Sequence, residues 1–453
     1  MNTKLIAVAV VAIVVVAAVA VVIVASGNDD DDGVEITAQL RVFGNADGDY
    51  DIDNDDLEII QDIADGKTSW DASANPLADA DCSGSVDSAD VELVQKIING
   101  ESCTIHNYNT CSTGDYIVET AWPCTSALAT GSSNMLWLMT MAGMDDKVHG
   151  ISYSSSSPPD STLFPAFSKM TSIGSSSTTM PYESASNYIT DYNVDVIIVE
   201  RTASTVNKTT VEPVYEDAGV DVVRVNPSCV EADDFLTELF MLGFLFQTMD
   251  KCVDIAEWWI QMQEYVDSEL SSVEAVKAIA CNGTYDSAKD RIWISAGNSD
   301  YKDLLVHAGA TYAFGDSVPA GTYSSGCYFS STDTWLYNYD IDYIINIKTN
   351  DWYSGTVDIV SKYESCVGIF NQTEAYQAQH ATVIVGDAPI PIRLAYAAAT
   401  MYPEVFSEEW ADELNQEFFE KFTDLSIDFT NLFFTITYAD YVAAGGTAYL
   451  IAS

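Results

Sequence analysis

An acidic twelve-residue pattern that occurs twice, 34 residues apart, constrains this chain more than any other feature. Residues 45–56 read NADGDYDIDNDD and residues 79–90 read DADCSGSVDSAD. Oxygen side chains fall at positions 1, 3, 5, 9 and 12 of each copy. These are Asn45, Asp47, Asp49, Asp53 and Asp56 in the first, and Asp79, Asp81, Ser83, Asp87 and Asp90 in the second. Position 7, Asp51 or Ser85, is left to offer its backbone carbonyl. A tight loop with that spacing turns alternate residues inward around one hard cation, and Ca²⁺ takes roughly six to eight such oxygens. Two Ca²⁺ sites are therefore predicted. Each loop runs into a short amphipathic helix, with Leu57, Ile60 and Ala64 on one apolar face and Val91, Val94 and Ile98 on the other. Gly66 and Gly100 sit where left-handed C-caps are expected. Ile52 and Val86, at position 8, are placed to pack the loops together.

The charge supports a local role for this segment. The chain has 68 acids against 18 bases and a net charge of −50, and residues 28–102 alone hold 21 acids and 3 bases. Such a surface repels phosphate, which excludes nucleic acid and anionic lipid as partners. Hydrophobic residues make up 48% of the chain, too many for a disordered acidic tail. The 453 residues allow two or three domains.

Leu5–Ala25 is an unbroken apolar run, long enough at ~1.5 Å per residue to cross a bilayer core of roughly 30 Å. Lys4 precedes it and Asp29–Asp32 follow, which places the N-terminus inside and the bulk of the chain outside the cell. Retention as a single N-terminal membrane anchor (1–27) is the preferred reading. Ala25-Ser26-Gly27 keeps cleavage as a secretory signal open. An acidic linker, 28–35, follows. Export makes disulfides plausible for the nine cysteines, an odd number with no Cys-x-x-Cys pair and no zinc-type spacing to the four histidines. Asn207, Asn282 and Asn371 begin glycosylation sequons that chance explains equally well.

Two loop-plus-helix repeats with Asp at position 12 resemble a type I dockerin module, here residues 36–102. The resemblance implies calcium-dependent folding and docking to a cohesin-bearing protein through positions 10 and 11. Those are Asn54, Asp55, Ser88 and Ala89. Three departures stand out: Tyr50 replaces the usual glycine at position 6 and is expected to strain the turn, Asn45 replaces Asp, and Ser83 removes a carboxylate.

Beyond residue 103, strand-like runs at 147–153, 195–200, 220–225, 291–295, 342–347 and 382–386 alternate with helical stretches at 134–143, 182–192 and 300–308. This alternation predicts parallel α/β sheets. Residues 231–271 carry an almost continuous helical pattern, within which a single helix of about 25–30 residues is expected. Gly131–Leu138 with Ala142–Val148, Ile173-Gly174, Tyr182-Glu183, Leu242-Gly243, Asp303–Ala310 and Arg393–Phe406 follow one another as in the helical-backbone class of ABC-transporter solute receptors. The chain is similar to that family over residues 103–453. The fold expected is an α/β two-lobed solute-binding protein: lobes at 103–230 and 276–453, a connecting helix in 231–275, the all-α calcium module and transmembrane helix before them. The resemblance implies capture of an iron-siderophore, haem or corrinoid ligand and delivery to an ABC permease. It assigns permease docking to Glu183 and, one methylene shorter than usual, Asp333. Either acid equally suits a helix start.

Candidate ligand contacts are Ser132 and Ser133 at the first helix, Tyr153 after the second strand, the aromatic faces of Tyr323, Tyr328 and Trp335, and Arg393. An internal salt bridge is the alternative for Arg393. No Gly-x-Ser-x-Gly elbow, Walker loop or Rossmann fingerprint is present, so no enzyme is expected. The competing function is a cell-surface scaffold component whose dockerin–cohesin contact is its main work.

Overall fold

The computed structural model describes residues 34–319, 323–349, 352–355 and 357–447. The predicted span at Leu5–Ala25 lies outside them. Among the described residues no helix is long and apolar enough to cross a membrane.

The acidic segment forms two helices, α1 (Asn54–Ala64) and α2 (Ser88–Ile98), each opened by a capping box. Asp53 with Asp56, and Asp87 with Asp90, exchange side-chain and backbone bonds at the first turn. Both helices close on left-handed Gly66 and Gly100, as predicted. Ile60, Val94 and Ile97 are buried between them. The segment is continuous with the body. Residues 41–43 pair alongside β1 (Cys103–Asn109), with Phe43 N–H donating to the His106 carbonyl and Tyr108 N–H to that of Arg41.

β1 pairs antiparallel with β2 (Tyr116–Trp122). The Asn109 amide then caps the first lobe's outer strand, donating to the Val222 carbonyl and accepting from the Arg224 N–H. That lobe holds β3 (Ala127–Thr130), β4 (Val148–Ser152), β5 (Val196–Glu200) and β6 (Asp221–Val225), in the order β4-β3-β5-β6 and all parallel. Its helices are α3 (Ser133–Met141), α4 (Tyr182–Tyr192) and α5 (Glu212–Glu216). Because both faces are covered, the strands are mainly apolar, with the buried Arg224 of β6 paired to Glu212 of α5. Leu128, Ile197 and Val199 face α4, while Ala129, Ile198 and Val223 face the main core.

The single long helix is replaced by two. α6 (Ala232–Leu245) and α7 (Met249–Leu270) are separated by a turn at 246–248 in which Gln247 is left-handed. The pair folds back as a hairpin, bringing Phe235 near the start of α6 within 4.9 Å of the Trp259 ring in α7. A side chain at Gly243 would strike Cys252 Sγ, so the turn depends on that glycine. α7 alone is the strut between lobes. It spans 22 residues, about 33 Å, and is tied to the first lobe where Lys251 bonds the Thr140 carbonyl and to the second where Gln263 bonds the His307 carbonyl.

The second lobe has β7 (Lys277–Asp286), β8 (Arg291–Ser295), α8 (Asp300–His307), β9 (Thr311–Tyr312), β10 (Gly326–Phe329) and β11 (Tyr343–Lys348). α9 (Ile359–Val367), α10 (Glu374–Gln377), β12 (Ala381–Val385), α11 (Ile390–Met401), α12 (Glu408–Phe422), β13 (Thr435–Ile436) and α13 (Tyr438–Ala443) follow. Its sheet is mixed rather than parallel. β7, β11 and β12 run together, but β8, β10 and β13 are antiparallel to their neighbours. The reason is local: β7 and β8 are joined by a short turn at 287–290, which only an antiparallel pair allows. All nine cysteines are free thiols, so the expected disulfides are absent.

Candidate functional site

The carboxyl ends of the parallel strands in both lobes meet across a cleft. A cavity of about 510 Å³ opens there, lined by Ser132, Ser133 and Tyr153 from the first lobe and Asp387, after β12, from the second. Ser154, Ser157, Asp160 and Ser176 complete its polar wall, with Leu136 and Phe164 beneath. Ser132 caps α3 by accepting from the Met135 N–H. The Tyr153 hydroxyl is spent on the Met170 carbonyl at 2.8 Å, so this residue offers its ring. Asp160 and Asp387 were missed in the sequence, although Asp387 follows a strand end as Ser132 does.

The other expected ligand residues fall elsewhere. Arg393 is 7% exposed, bonded to Asn134 Oδ1 at 2.7 Å across the lobe contact, and Asn134 in turn bonds Ser228. Its Nε is buried without a partner, beside a space of only about 40 Å³ shared with Asp300. Burial pushes the Arg393 guanidinium below its ordinary pKa and the Asp300 carboxyl above its own. Trp335 is packed against Phe314 and Phe329 inside the second lobe. Tyr323 lies exposed beside Trp293, and Tyr328 receives the Arg291 guanidinium on its face at 3.8 Å. The rings of these residues pack in the second lobe's own clusters, away from the cavity.

Glu183 is exposed in the first turn of α4, which lacks a side-chain cap, so its carboxylate is available to a partner. Asp333 accepts from the Ser330 N–H at 2.8 Å and closes a turn. No histidine reaches the cavity. His106 approaches Glu119, His307 pairs with Glu231 at 3.0 Å, and His149 and His380 stack on Tyr192 and Tyr343.

The acidic loops differ from one another. In the first, Asn45 is fully buried and spends its amide on the carbonyls of Leu40 and Asp49, while its oxygen accepts from Gly48. Asp47 and Asp49 accept from amides two residues on. The carboxylates that converge, within 4.8 Å, are Asp51, Asp53 and Asp56, at positions 7, 9 and 12. Asp51 thus brings its side chain as well as its carbonyl to the loop, and its Oδ1 is buried without a hydrogen-bond partner. Burial first, and the neighbouring Asp49 and Asp53 next, push Asp51 up to about 6. Burial pushes Asp56 up to about 7 despite three backbone amides. Tyr50 is not strained: Gly48, at position 4, takes the left-handed turn, and Tyr50 packs its ring on Phe240 of α6 at 5.4 Å.

In the second loop Asp79, Asp81 and Asp90 converge, at positions 1, 3 and 12. Asp79 accepts from the amides of Ser83 and Gly84. Ser83 bonds the Ser85 carbonyl, and Asp87 caps α2. No basic side chain pairs with either cluster among the described residues; Lys67, after α1, pairs with Asp62 and Asp65 instead. Hard oxygen ligands crowded without a cation fit Ca²⁺. Asn54, Asp55, Ser88 and Ala89 are all exposed.

No protein-family model and no curated protein matches the chain. Solved structures do match. The TroA-like periplasmic binding protein FepB of Veillonella parvula aligns with a TM-score of 0.54 at 14% identity, over 73% of this chain and 99% of that one. The fold is that of a solute-binding protein. A second periplasmic solute-binding protein from Veillonella parvula gives 0.51 at 16% identity, over 72% and 95% of the two chains. An ABC-transporter solute-binding protein from Sulfurospirillum deleyianum gives 0.51 at 13%, over 72% and 97%. All three are named as binding proteins, not as enzymes.

Proposed function

We propose that this chain is an exported, membrane-tethered substrate-binding protein of an ABC importer that captures a metal chelate between its lobes. The observation that carries this reading is the cavity built from strand ends of both lobes, where open α/β sheets hold ligands. Glu183 and Asp333 are the residues proposed to meet the permease, Glu183 with its carboxylate free and Asp333 after release of its turn. Among the iron-siderophore, haem and corrinoid classes, the lining favours a chelate whose metal is already saturated. It offers no histidine, and its one tyrosine hydroxyl is engaged. Serine hydroxyls and the carboxylate of Asp160, with no basic side chain in the lining, also favour a neutral or cationic complex, such as a ferric hydroxamate, over an anionic one. Titration of the full chain with ferrioxamine B, haem and cobalamin tests this. Saturable binding of ferrioxamine B supports the reading, and binding of none of the three sinks it.

The carboxylate clusters support a second activity. We propose that each loop holds one Ca²⁺ and that the module presents Asn54, Asp55, Ser88 and Ala89 to a cohesin. Calcium titration followed by capture on immobilised cohesin tests it. No heat of calcium binding at millimolar metal would remove this reading, and tight cohesin capture without chelate binding would favour the scaffold function.

A further inference from the structure

Where the acidic module meets the body, a second cavity of about 690 Å³ opens, separate from the cleft cavity and larger. The module supplies Thr37 and Arg41, the β1–β2 connection supplies Thr110 and Asp115, and the first turns of α6 supply the acids. The carboxyl ends of β5 and β6 add Arg201 and Asn226, the position at which parallel sheets present ligand sites.

Its charges are sorted. Arg41 is fixed by Asp115 at 2.8 Å and lies over the Tyr108 ring at 5.0 Å. Arg201 anchors the wall through its carbonyl, bonded by the Ser112 N–H; its guanidinium feels the carboxylates of Asp115 and Asp300 but makes no direct hydrogen bond or ion pair among the described residues. Across from these, Glu238 is 5% exposed and enters no ion pair among the described residues. Its carboxylate has the Thr110 side chain and the Asn226 backbone as partners, and burial pushes it up to about 7. Asp233, bonded by Thr37 at 2.6 Å, and Asp234 line the same side.

Glu238 is a buried carboxylate whose neighbouring cation, Arg41, is already held by Asp115; burial disfavours its charged form, and an ammonium placed beside it relieves that penalty. A free guanidinium is the complementary fork for a carboxylate. We propose that this junction is a second ligand site, for a small zwitterion of the amino-acid or dipeptide class, its ammonium at Glu238 and its carboxylate at Arg201. Four acids against two arginines in the lining favour ligands with an additional positive charge. Both anchoring groups stand on the body, and Thr37 and Arg41 of the module wall the same cavity, so the closed site exists only in the intact chain.

Isothermal titration of the full, calcium-loaded chain with L-lysine, L-glutamate and glycyl-L-lysine tests the site. The expected result is saturable 1:1 binding of L-lysine or glycyl-L-lysine, stronger than any of L-glutamate. Arg201→Ala and Glu238→Gln are each expected to weaken it by about tenfold or more. Arg201 is exposed, so its variant keeps the fold and carries the test if Glu238→Gln does not fold. Absence of binding for all three probes at about 10 mM, preference for L-glutamate, or affinity unchanged in Arg201→Ala would overturn the assignment.

Discussion

In the paired loops, carboxylates crowd within 4.8 Å with no base to balance them, whereas the cleft cavity is lined mainly by hydroxyls and carries only Asp160 and Asp387 as acids. The loops hold their charge in place through backbone amides: Asp56 and Asp90 each bond amides at the start of their loop and at their helix cap. The cleft instead uses up its tyrosine hydroxyl on the Met170 carbonyl, and the Arg393 guanidinium lies outside its lining, bonded to Asn134. A region that needs a cation to relieve repulsion selects by charge and is strongly linked to pH. A region lined mainly by hydroxyls selects chiefly by shape, with Asp160 and Asp387 adding a preference against anions. The two sites should therefore respond independently to substitution.

The largest effect is expected from removing the twelfth-position acid. Asp56→Asn or Asp90→Asn should lower calcium affinity of its own loop roughly 10–100-fold, because ligand charge count sets affinity. Calorimetric stoichiometry should fall from two to one while chelate binding in the cleft is unchanged. Loss of both calcium sites in either variant would show that the loops act as one unit. Filling the cleft comes next. Ser133→Trp, at an exposed first helical position, should weaken chelate binding about tenfold or more by steric exclusion, leaving calcium stoichiometry at two.

The pH dependence sharpens the contrast further. Asp51 and Asp56 titrate higher in the folded chain, at about 6 and about 7, than in an unfolded one. Metal-free stability is then fully present below about pH 4 and is lost as pH rises through 6 to 7. Thermal melts in chelator should show that slope. Calcium at a hundredfold excess over its dissociation constant should reverse it, adding about 2.7 kcal/mol per site. The smallest effect is at the seam. Tyr50→Ala should cost about 1–2 kcal/mol in urea denaturation through lost packing on Phe240, with calcium stoichiometry intact.

Much of this arrangement was legible in the sequence where local signals agree. The strand Arg291–Ser295 and the helix Tyr182–Tyr192 have the bounds their patterns predict, because both are flanked by turn residues or a proline. Strands β1 and β2 escaped notice because each buries one face only, and their exposed positions read as loop. The break between α6 and α7 was invisible because Phe246 continues the apolar rhythm. Only the tight approach of Gly243 to Cys252 and the left-handed Gln247 turn the chain. In the cleft, the rule that ligands gather at strand ends found Ser132, Ser133 and Tyr153. Choosing Tyr323 and Trp335 by ring type failed because aromatic residues here mostly pack against one another. In the loops, the spacing gave the acids but not which three converge, since that depends on how Asn45 and Asp79 spend their bonds.

The central claim is that the cleft receives a metal complex that needs no ligand from the protein. Equilibrium titration of the calcium-loaded full chain with ferrioxamine B and cobalamin, beside haem monitored at its Soret band, tests it most directly. Ferrioxamine B is expected to bind 1:1, about tenfold or more weaker in Ser133→Trp, and haem to show no coordination shift. Haem binding with an axial-ligand spectrum, or no binding of ferrioxamine B or cobalamin, would contradict it.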